Sequence, residues 1–164
     1  NYNKAEISFL CPSPYWESLT EKSGYMAYLD EGFQFPLEFY PTVSFAAIEN
    51  QVTLINDGSI STPLHITIAG PATNPSVTNE TTGEQIRLLQ SLTASQVLEI
   101  DTKRGQKSVT IIEGSNRQDA FQYLDPQSVF FSLVPGNNLL RYKSDNESEM
   151  TQVDLRYREL FAGV

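Results

Sequence analysis

The chain has 164 residues, 40% hydrophobic and 19% charged, with Lys+Arg 11 against Asp+Glu 20 and a formal net charge of −9. That length fits one domain able to bury roughly 70% of its unfolded surface, and no apolar run approaches the roughly 18 residues of a membrane span. Residues 1–82 hold only Lys4 and Lys22 against nine acids, which excludes the basic footprint of a nucleic-acid binder there, while residues 83–164 are more balanced.

The first residues are polar and show no signal-peptide pattern. The chain opens at Asn1 without Met and enters a predicted strand at Ala5 to Leu10, as an excised part of a longer polypeptide or a processed precursor would. Cys11 is the single cysteine, so an internal disulfide and a thiolate zinc site are excluded. Within Phe9-Leu10-Cys11-Pro12 it reads as a buried apolar thiol. The run Cys11-Pro12-Ser13-Pro14-Tyr15-Trp16 is too rich in proline for a central strand.

Gly24 to Pro41 is dense in aromatics, with Tyr25, Tyr28, Phe33, Phe35, Phe39 and Tyr40 broken by Pro36 and Pro41. It reads as an extended arm with short strands, Phe33 to Pro36 among them, packed on another surface. Asp30 and Glu31 are its only charges besides Glu38, so base stacking would lack its cations. Residues 1–43 are therefore expected as a connecting arm packed on a sandwich, and residues 44–164 as the sandwich domain.

Past Pro41, short apolar-alternating runs follow one another, each closed by Gly, Pro, Asn or Asp. Expected strands are Ser44–Ile55, closing at Asn56-Asp57-Gly58, then Leu64–Ala69, Ser76–Asn79, Gln85–Leu89, Gln96–Asp101, Lys107–Glu113, Val129–Val134, Asn138–Lys143 and Met150–Glu159. The Thr81-Thr82-Gly83 turn makes Gln85–Leu89 a hairpin partner of Ser76–Asn79, although Ile86, Leu89 and Leu92 also fit a helical face. Ala120, Phe121 and Leu124 fit a single helical turn. In the last strand Val153, Leu155 and Tyr157 form one face, and Asp154, Arg156 and Arg158 the other. Such a series marks an all-β sandwich or barrel.

Little in the pattern can do chemistry. There is no Gly-rich phosphate loop, no paired-histidine motif and no Cys-His cluster. His65, the sole histidine, falls opposite the Leu64, Ile66, Ile68 face and reads as an exposed strand residue. Glu99 and Asp101 share a strand face roughly 7 Å apart, within reach of a glycosidase pair, but any acidic sandwich produces such pairs. Lys103, Arg104 and Lys107 form a solvated hairpin tip. Asp145-Asn146-Glu147 with Glu149 lacks the ligand series of a calcium loop. Asn79 and Asn146 stand in glycosylation sequons that matter only in a secreted eukaryotic setting. No catalytic, cofactor-binding or metal-binding residue emerges, and the chain reads as not an enzyme.

The residues from about Glu6 to Val164 resemble the C-terminal part of the phage distal tail protein family, the siphovirus-type tail component. The matching pieces are Phe9-Leu10-Cys11-Pro12-Ser13-Pro14-Tyr15-Trp16, Gly32-Phe33-Gln34-Phe35-Pro36, and Asn56-Asp57-Gly58. They continue with Thr62-Pro63, Ile66-Thr67-Ile68-Ala69-Gly70, Asn74-Pro75, Asn79 and Thr82-Gly83. Leu98-Glu99-Ile100-Asp101-Thr102, Leu133-Val134-Pro135-Gly136-Asn137-Asn138, Arg156-Tyr157-Arg158 and Phe161-Ala162-Gly163-Val164 complete the set.

The resemblance implies an antiparallel β-sandwich of jelly-roll, galectin-like or carbohydrate-module-like type. It implies a structural component of a phage or prophage tail tip, acting as a protein–protein docking module in the baseplate. Family members form a hexameric ring whose ring-building domain would precede Asn1, so the full-length protein is expected as a homohexamer and this part of it alone as a monomer. Expected partners are other tail proteins, namely tail tube and tail-associated or receptor-binding proteins, with neither nucleic acid nor membrane and no cofactor. The expected location is the virion tail tip, after synthesis in the host bacterial cytoplasm.

The alternative is a carbohydrate-binding module recognising host-surface glycans. Galectin-type sites use a His-x-Asn-x-Arg strand, whereas this strand reads His65-Ile66-Thr67-Ile68-Ala69 and lacks the Asn and Arg. For either reading, the candidate interaction surface is Trp16, Tyr15, Phe33, Phe35, Tyr123 and Tyr142.

Overall fold

Alternation with a period of two builds two facing sheets from short strands. The computed structural model describes residues 14–28, 50–146 and 151–163. In chain order the strands are β1 (Tyr15–Glu17), β2 (Lys22–Tyr28), β3 (Gln51–Asn56), β4 (Thr62–Pro63), β5 (His65–Ala69), β6 (Ala72–Thr73), β7 (Ser76–Asn79) and β8 (Glu84–Arg87). They continue as β9 (Ser91–Leu92), β10 (Gln96–Asp101), β11 (Ser108–Glu113), β12 (Asn116–Asp119), β13 (Ser132–Leu133), β14 (Gly136–Lys143), β15 (Thr151–Tyr157) and β16 (Leu160–Ala162). A single 3-10 turn, Phe121–Tyr123, lies between β12 and β13.

One sheet has six strands in the order β12-β11-β10-β5-β15-β2, the other four in the order β3-β14-β7-β8. Three two-stranded pairings, β1-β16, β13-β4 and β6-β9, close the corners. Every pairing between these strands is antiparallel. The larger sheet turns Met26, Ile66, Ile68, Leu98, Ile100, Val109, Ile111, Val153, Leu155 and Tyr157 inward; the smaller contributes Leu54, Val77, Ile86, Leu140 and Tyr142 to the same core. Each such side chain stabilises the fold by about 1.5–3 kcal/mol relative to exposure. The chain is an all-β antiparallel sandwich.

Gly24 sits where the sheets meet at one edge. A Cβ there would run into the Leu54 side chain, so its absence lets β2 close over β3. Residues 22–28, expected in an arm lying on the sandwich, thus supply an edge strand of its larger sheet, paired with β15 from Lys22↔Tyr157 to Tyr28↔Thr151. Phe33–Pro36, Ala5–Leu10 and the first half of Ser44–Ile55 lie outside the described residues.

The turn asparagines are interior parts of the fold. Asn56 is buried, donating from Nδ2 to the Ile60 and Leu133 carbonyls at 3.0 and 2.9 Å and accepting the Gly58 N–H at 3.0 Å. Asn79 accepts the Thr81 N–H at 3.0 Å, shaping the turn in which Gly83 adopts φ 75°. Because Asn79 is 0% exposed, its sequon is a folding feature and no glycan could be attached there in the folded domain.

The expected strand Val129–Val134 is strand only at Ser132–Leu133. The segment before it has another task, covering the outer edge of β8. Leu89 N–H donates to Tyr123 O at 2.7 Å, Asp125 N–H to Arg87 O at 2.9 Å, and Val129 N–H to Gln85 O at 2.8 Å. An open strand edge is an aggregation template, and this loop pairs it.

Candidate functional site

Three exposed aromatic side chains, Tyr15, Trp16 and Phe161, lie on the ribbon made by β1 and β16, while Tyr25, Ile55, Leu89, Phe121 and Val129 are exposed elsewhere on the surface. Its register is Tyr15↔Ala162, Trp16↔Phe161 and Glu17↔Leu160. Residues directly opposite in an antiparallel pair project to the same side, so the Trp16 and Phe161 rings share one face. Trp16 is 71% exposed, and the neighbouring Leu19 is 97% exposed. Tyr15 lies on the other face and is also exposed.

The ribbon is tied at both edges by backbone and side-chain hydrogen bonds. On one side Ser18 N–H donates to Glu159 O at 2.9 Å, Glu159 N–H donates to Ser18 Oγ at 3.2 Å, and the Arg158 guanidinium donates to Leu19 O at 2.9 Å. On the other, Ser59 N–H donates to Leu160 O at 3.1 Å and Ala162 N–H to Ser59 Oγ at 2.8 Å.

An ionic cluster lies under this junction. Lys22 Nζ donates to Asp57 Oδ2 at 2.7 Å and to Glu159 Oε1 at 2.5 Å, while Asp57 N–H donates to the same Glu159 oxygen at 2.7 Å. Hydrogen bonds to Asp57 and then Glu159 hold the Lys22 ammonium well above the ordinary lysine range. Beside it the Tyr157 hydroxyl donates to Ile55 O at 2.8 Å, and burial pushes that phenol up.

A second, smaller aromatic feature lies by the 3-10 turn. Phe121 stacks on Phe130 with centroids 5.6 Å apart and rings 13° from parallel, and Lys107 Nζ stands 5.2 Å from the Phe130 centroid. Tyr123 is half-buried and packs against the core, its carbonyl holding Leu89. A polar depression of about 100 Å³ is lined by Gln85, Arg87, Asp125, Gln127 and Ser128. It is below the roughly 300 Å³ floor of small-molecule sites. Arg87, moreover, is committed to both Asp145 oxygens at 2.9 and 2.8 Å. Asn74 first, then Arg87, holds the Asp145 carboxyl below its usual range.

The acid pair and basic tip are engaged in surface structure. Glu99 pairs with Arg117 at 2.5 Å, and Asp101 accepts the Lys103 N–H at 2.7 Å to close its turn. Lys103 Nζ approaches Glu17 at 3.6 Å. His65 does face away from the core, half-buried, in register between Asp101 and Arg156. Among the described residues no group of three or more His, Cys, Asp or Glu is placed to hold a metal ion, and no helix is long and apolar enough to cross a membrane.

Of the sequence candidates, the structure places Tyr15 and Trp16 together on the ribbon and Tyr123 about the 3-10 turn. Phe33 and Phe35 lie outside the described residues. Tyr142 is corrected. It is 0% exposed, on the inward face of β14 with Asn138 and Leu140, so its ring is closed off from any other protein. Phe161 and Leu19 were not among the candidates. Phe161 could have been found as a bulky residue in a short terminal strand, while Leu19 stands alone in a polar turn and gives no sequence signal.

Residues 57–161 match the family model described as siphovirus-type tail component, C-terminal domain. The chain belongs to this family. It is therefore a phage tail component, and the virion tail is its place. The matched segment starts in the turn after β3 and ends in β16, so the siphovirus-type domain includes Glu159 and Phe161 while Trp16 and Lys22 come from upstream of it. A solved structure described as "Structure of the Phage P2 Baseplate in its Activated Conformation with Ca" aligns with 10% sequence identity and a TM-score of 0.48, covering 84% of this chain and 53% of that one. The tail component thus spans about half the length of that chain. Among curated proteins no sequence matches it.

Proposed function

We propose that this tail component is a protein–protein docking module of the tail tip, and that it contacts another tail protein through the β1–β16 ribbon. The observation that carries the reading is Trp16, 71% exposed beside Phe161 on one ribbon face. Interface anchors are enriched in tryptophan, and each such anchor contributes about 2 kcal/mol or more on truncation. Exposed apolar side chains of this size on a two-stranded ribbon do nothing for the core behind them.

The partners fitting this role are the tail tube and tail-associated or receptor-binding proteins. The full-length protein would be a homohexamer assembled after synthesis in the host bacterial cytoplasm. The module works by binding and catalyses nothing.

The test is calorimetric titration of the purified protein against each tail protein encoded with it. The expected result is one saturable partner whose affinity falls at least about thirtyfold with Trp16→Ala, the equivalent of roughly 2 kcal/mol. Exposed aromatics also stack on sugars, so cell-wall glycan is titrated in parallel. Saturable glycan binding lost with Trp16→Ala would replace the docking reading with the carbohydrate-binding one.

A further inference from the structure

Glu159 is the one charged side chain among the described residues that is buried, at 6% exposure. It gathers chain segments that are far apart in sequence. Its carboxylate takes Lys22 Nζ at 2.5 Å and the Asp57 N–H at 2.7 Å. Its backbone exchanges two hydrogen bonds with Ser18, at 2.9 and 3.2 Å. Ser18 and Lys22 flank the connection from β1 to β2, Asp57 begins the turn after β3, and Glu159 itself leads into β16.

β16 is tied separately to residues 59–62, through the Ile60↔Leu160 bridge and the Thr62 and Ser59 hydroxyls at 3.1 and 2.8 Å, so it is the seating of β1 that this junction governs. All of β1 is exposed on both faces, and the ribbon has three paired positions. A two-stranded ribbon of that kind is marginal in water by itself. The ion pairs near it, Arg158 to Glu21 at 3.9 Å and Lys103 to Glu17 at 3.6 Å, are solvent-exposed and add little order. β2, by contrast, is secured by its own ladder to β15 and does not depend on the lysine head group.

We propose that Glu159 and Lys22 form a latch that sets whether β1 is seated on β16, independently of the sandwich core. Latched, the Trp16 and Phe161 rings are held in register as a preorganised pair, which spares a partner the cost of ordering them. Unlatched, β1 detaches while both sheets persist. The latch lies in the junction itself and does not depend on the ribbon docking another protein.

Amide hydrogen exchange read by mass spectrometry tests it, on the wild type, Glu159→Gln, Lys22→Met and Lys22→Arg. Glu159→Gln keeps the shape and an acceptor for Asp57 N–H but removes the charge that holds Lys22. The expected result is about tenfold faster exchange in the peptide covering 15–18 for Glu159→Gln and Lys22→Met, with β5 and β10 unchanged. Lys22→Arg restores protection. Trp16 is the only tryptophan, so its fluorescence anisotropy reports the same release independently.

Wild-type exchange of β1 in both loss-of-charge variants would overturn the latch. So would a uniform acceleration across β5, β10 and β1, which would make the cluster a global stabiliser. A β1 already unprotected in the wild type overturns it too. If the latch fails while Trp16→Ala still abolishes partner binding, the docking reading survives alone.

Discussion

Asn79 and Asn138 meet side chain to side chain in the interior, Nδ2 of the first donating to Oδ1 of the second at 3.2 Å. Asn138 Oδ1 also takes the Val134 N–H at 2.9 Å, and its Nδ2 donates to the Val134 and Gly136 carbonyls at 2.7 and 3.1 Å. The turn before β14 is thereby fastened to the turn after β7. Asn138→Ala strands several buried polar groups and is expected to cost about 2–4 kcal/mol, lowering Tm by roughly 5–15 °C. The exposed neighbour Asn137 serves as control: Asn137→Ala should stay within about 0.5 kcal/mol by calorimetry.

Tyr142 and Trp16 should separate cleanly in stability. Tyr142→Ala empties a large core position and is expected to cost about 3–5 kcal/mol. Trp16→Ala removes a ring that is 71% exposed, and should shift stability by no more than about 0.5 kcal/mol. Urea denaturation of both variants checks this. Equal losses would mean that the ribbon is part of the core.

Two glycines test different constraints. At Gly70 a Cβ would collide with the Thr93 backbone carbonyl, which cannot rotate away. Gly70→Ala is expected at or above the upper end of the about 1–3 kcal/mol typical of overpacking. Gly83 has φ 75° and open space around it, so Gly83→Ala should cost only the about 1–2 kcal/mol of left-handed backbone strain. Thermal unfolding of the pair reads the difference.

The strands that were legible are those with one wet and one dry face. β5 and β15 alternate strictly and β10 and β11 nearly so, broken by Val97-Leu98 and Ile111-Ile112, and the inward positions Ile66, Ile68, Leu98, Ile100, Val109, Ile111, Val153 and Leu155 follow that alternation. β12 was not legible, because Asn116-Arg117-Gln118-Asp119 is polar on both sides and is a strand only through its ladder to β11. β2 was hidden by Gly24, which weakens a strand signal in sequence yet is required here by the approach of Leu54.

At the site, Tyr15 and Trp16 were legible as aromatics in a Pro-rich stretch, but their partner Phe161 lies at the other end of the chain. Only the pairing of the chain's distant segments brings them together. Tyr142 misled because tyrosine is common both in cores and on binding faces, and its burial follows from register with Val77.

Stability should decline on the alkaline side. Lys22 and Tyr157 both bind their protons more tightly folded than unfolded, through hydrogen bonds to Asp57 and Glu159 and through burial respectively. Their contributions are therefore complete below about pH 10, where the unfolded groups are still protonated, and are lost as pH rises toward the folded values. Urea midpoints should be flat to about pH 9.5 and fall above it. Lys22→Met should flatten that fall, and an unchanged slope would contradict the assignment.

The most direct measurement is a cryo-electron microscopy reconstruction of the assembled tail that resolves the side chains of the β1–β16 ribbon. The account predicts that Trp16 and Phe161 are buried together against a different tail protein. A reconstruction in which both rings face solvent, with the tail component held to its neighbours by other surfaces, would contradict it.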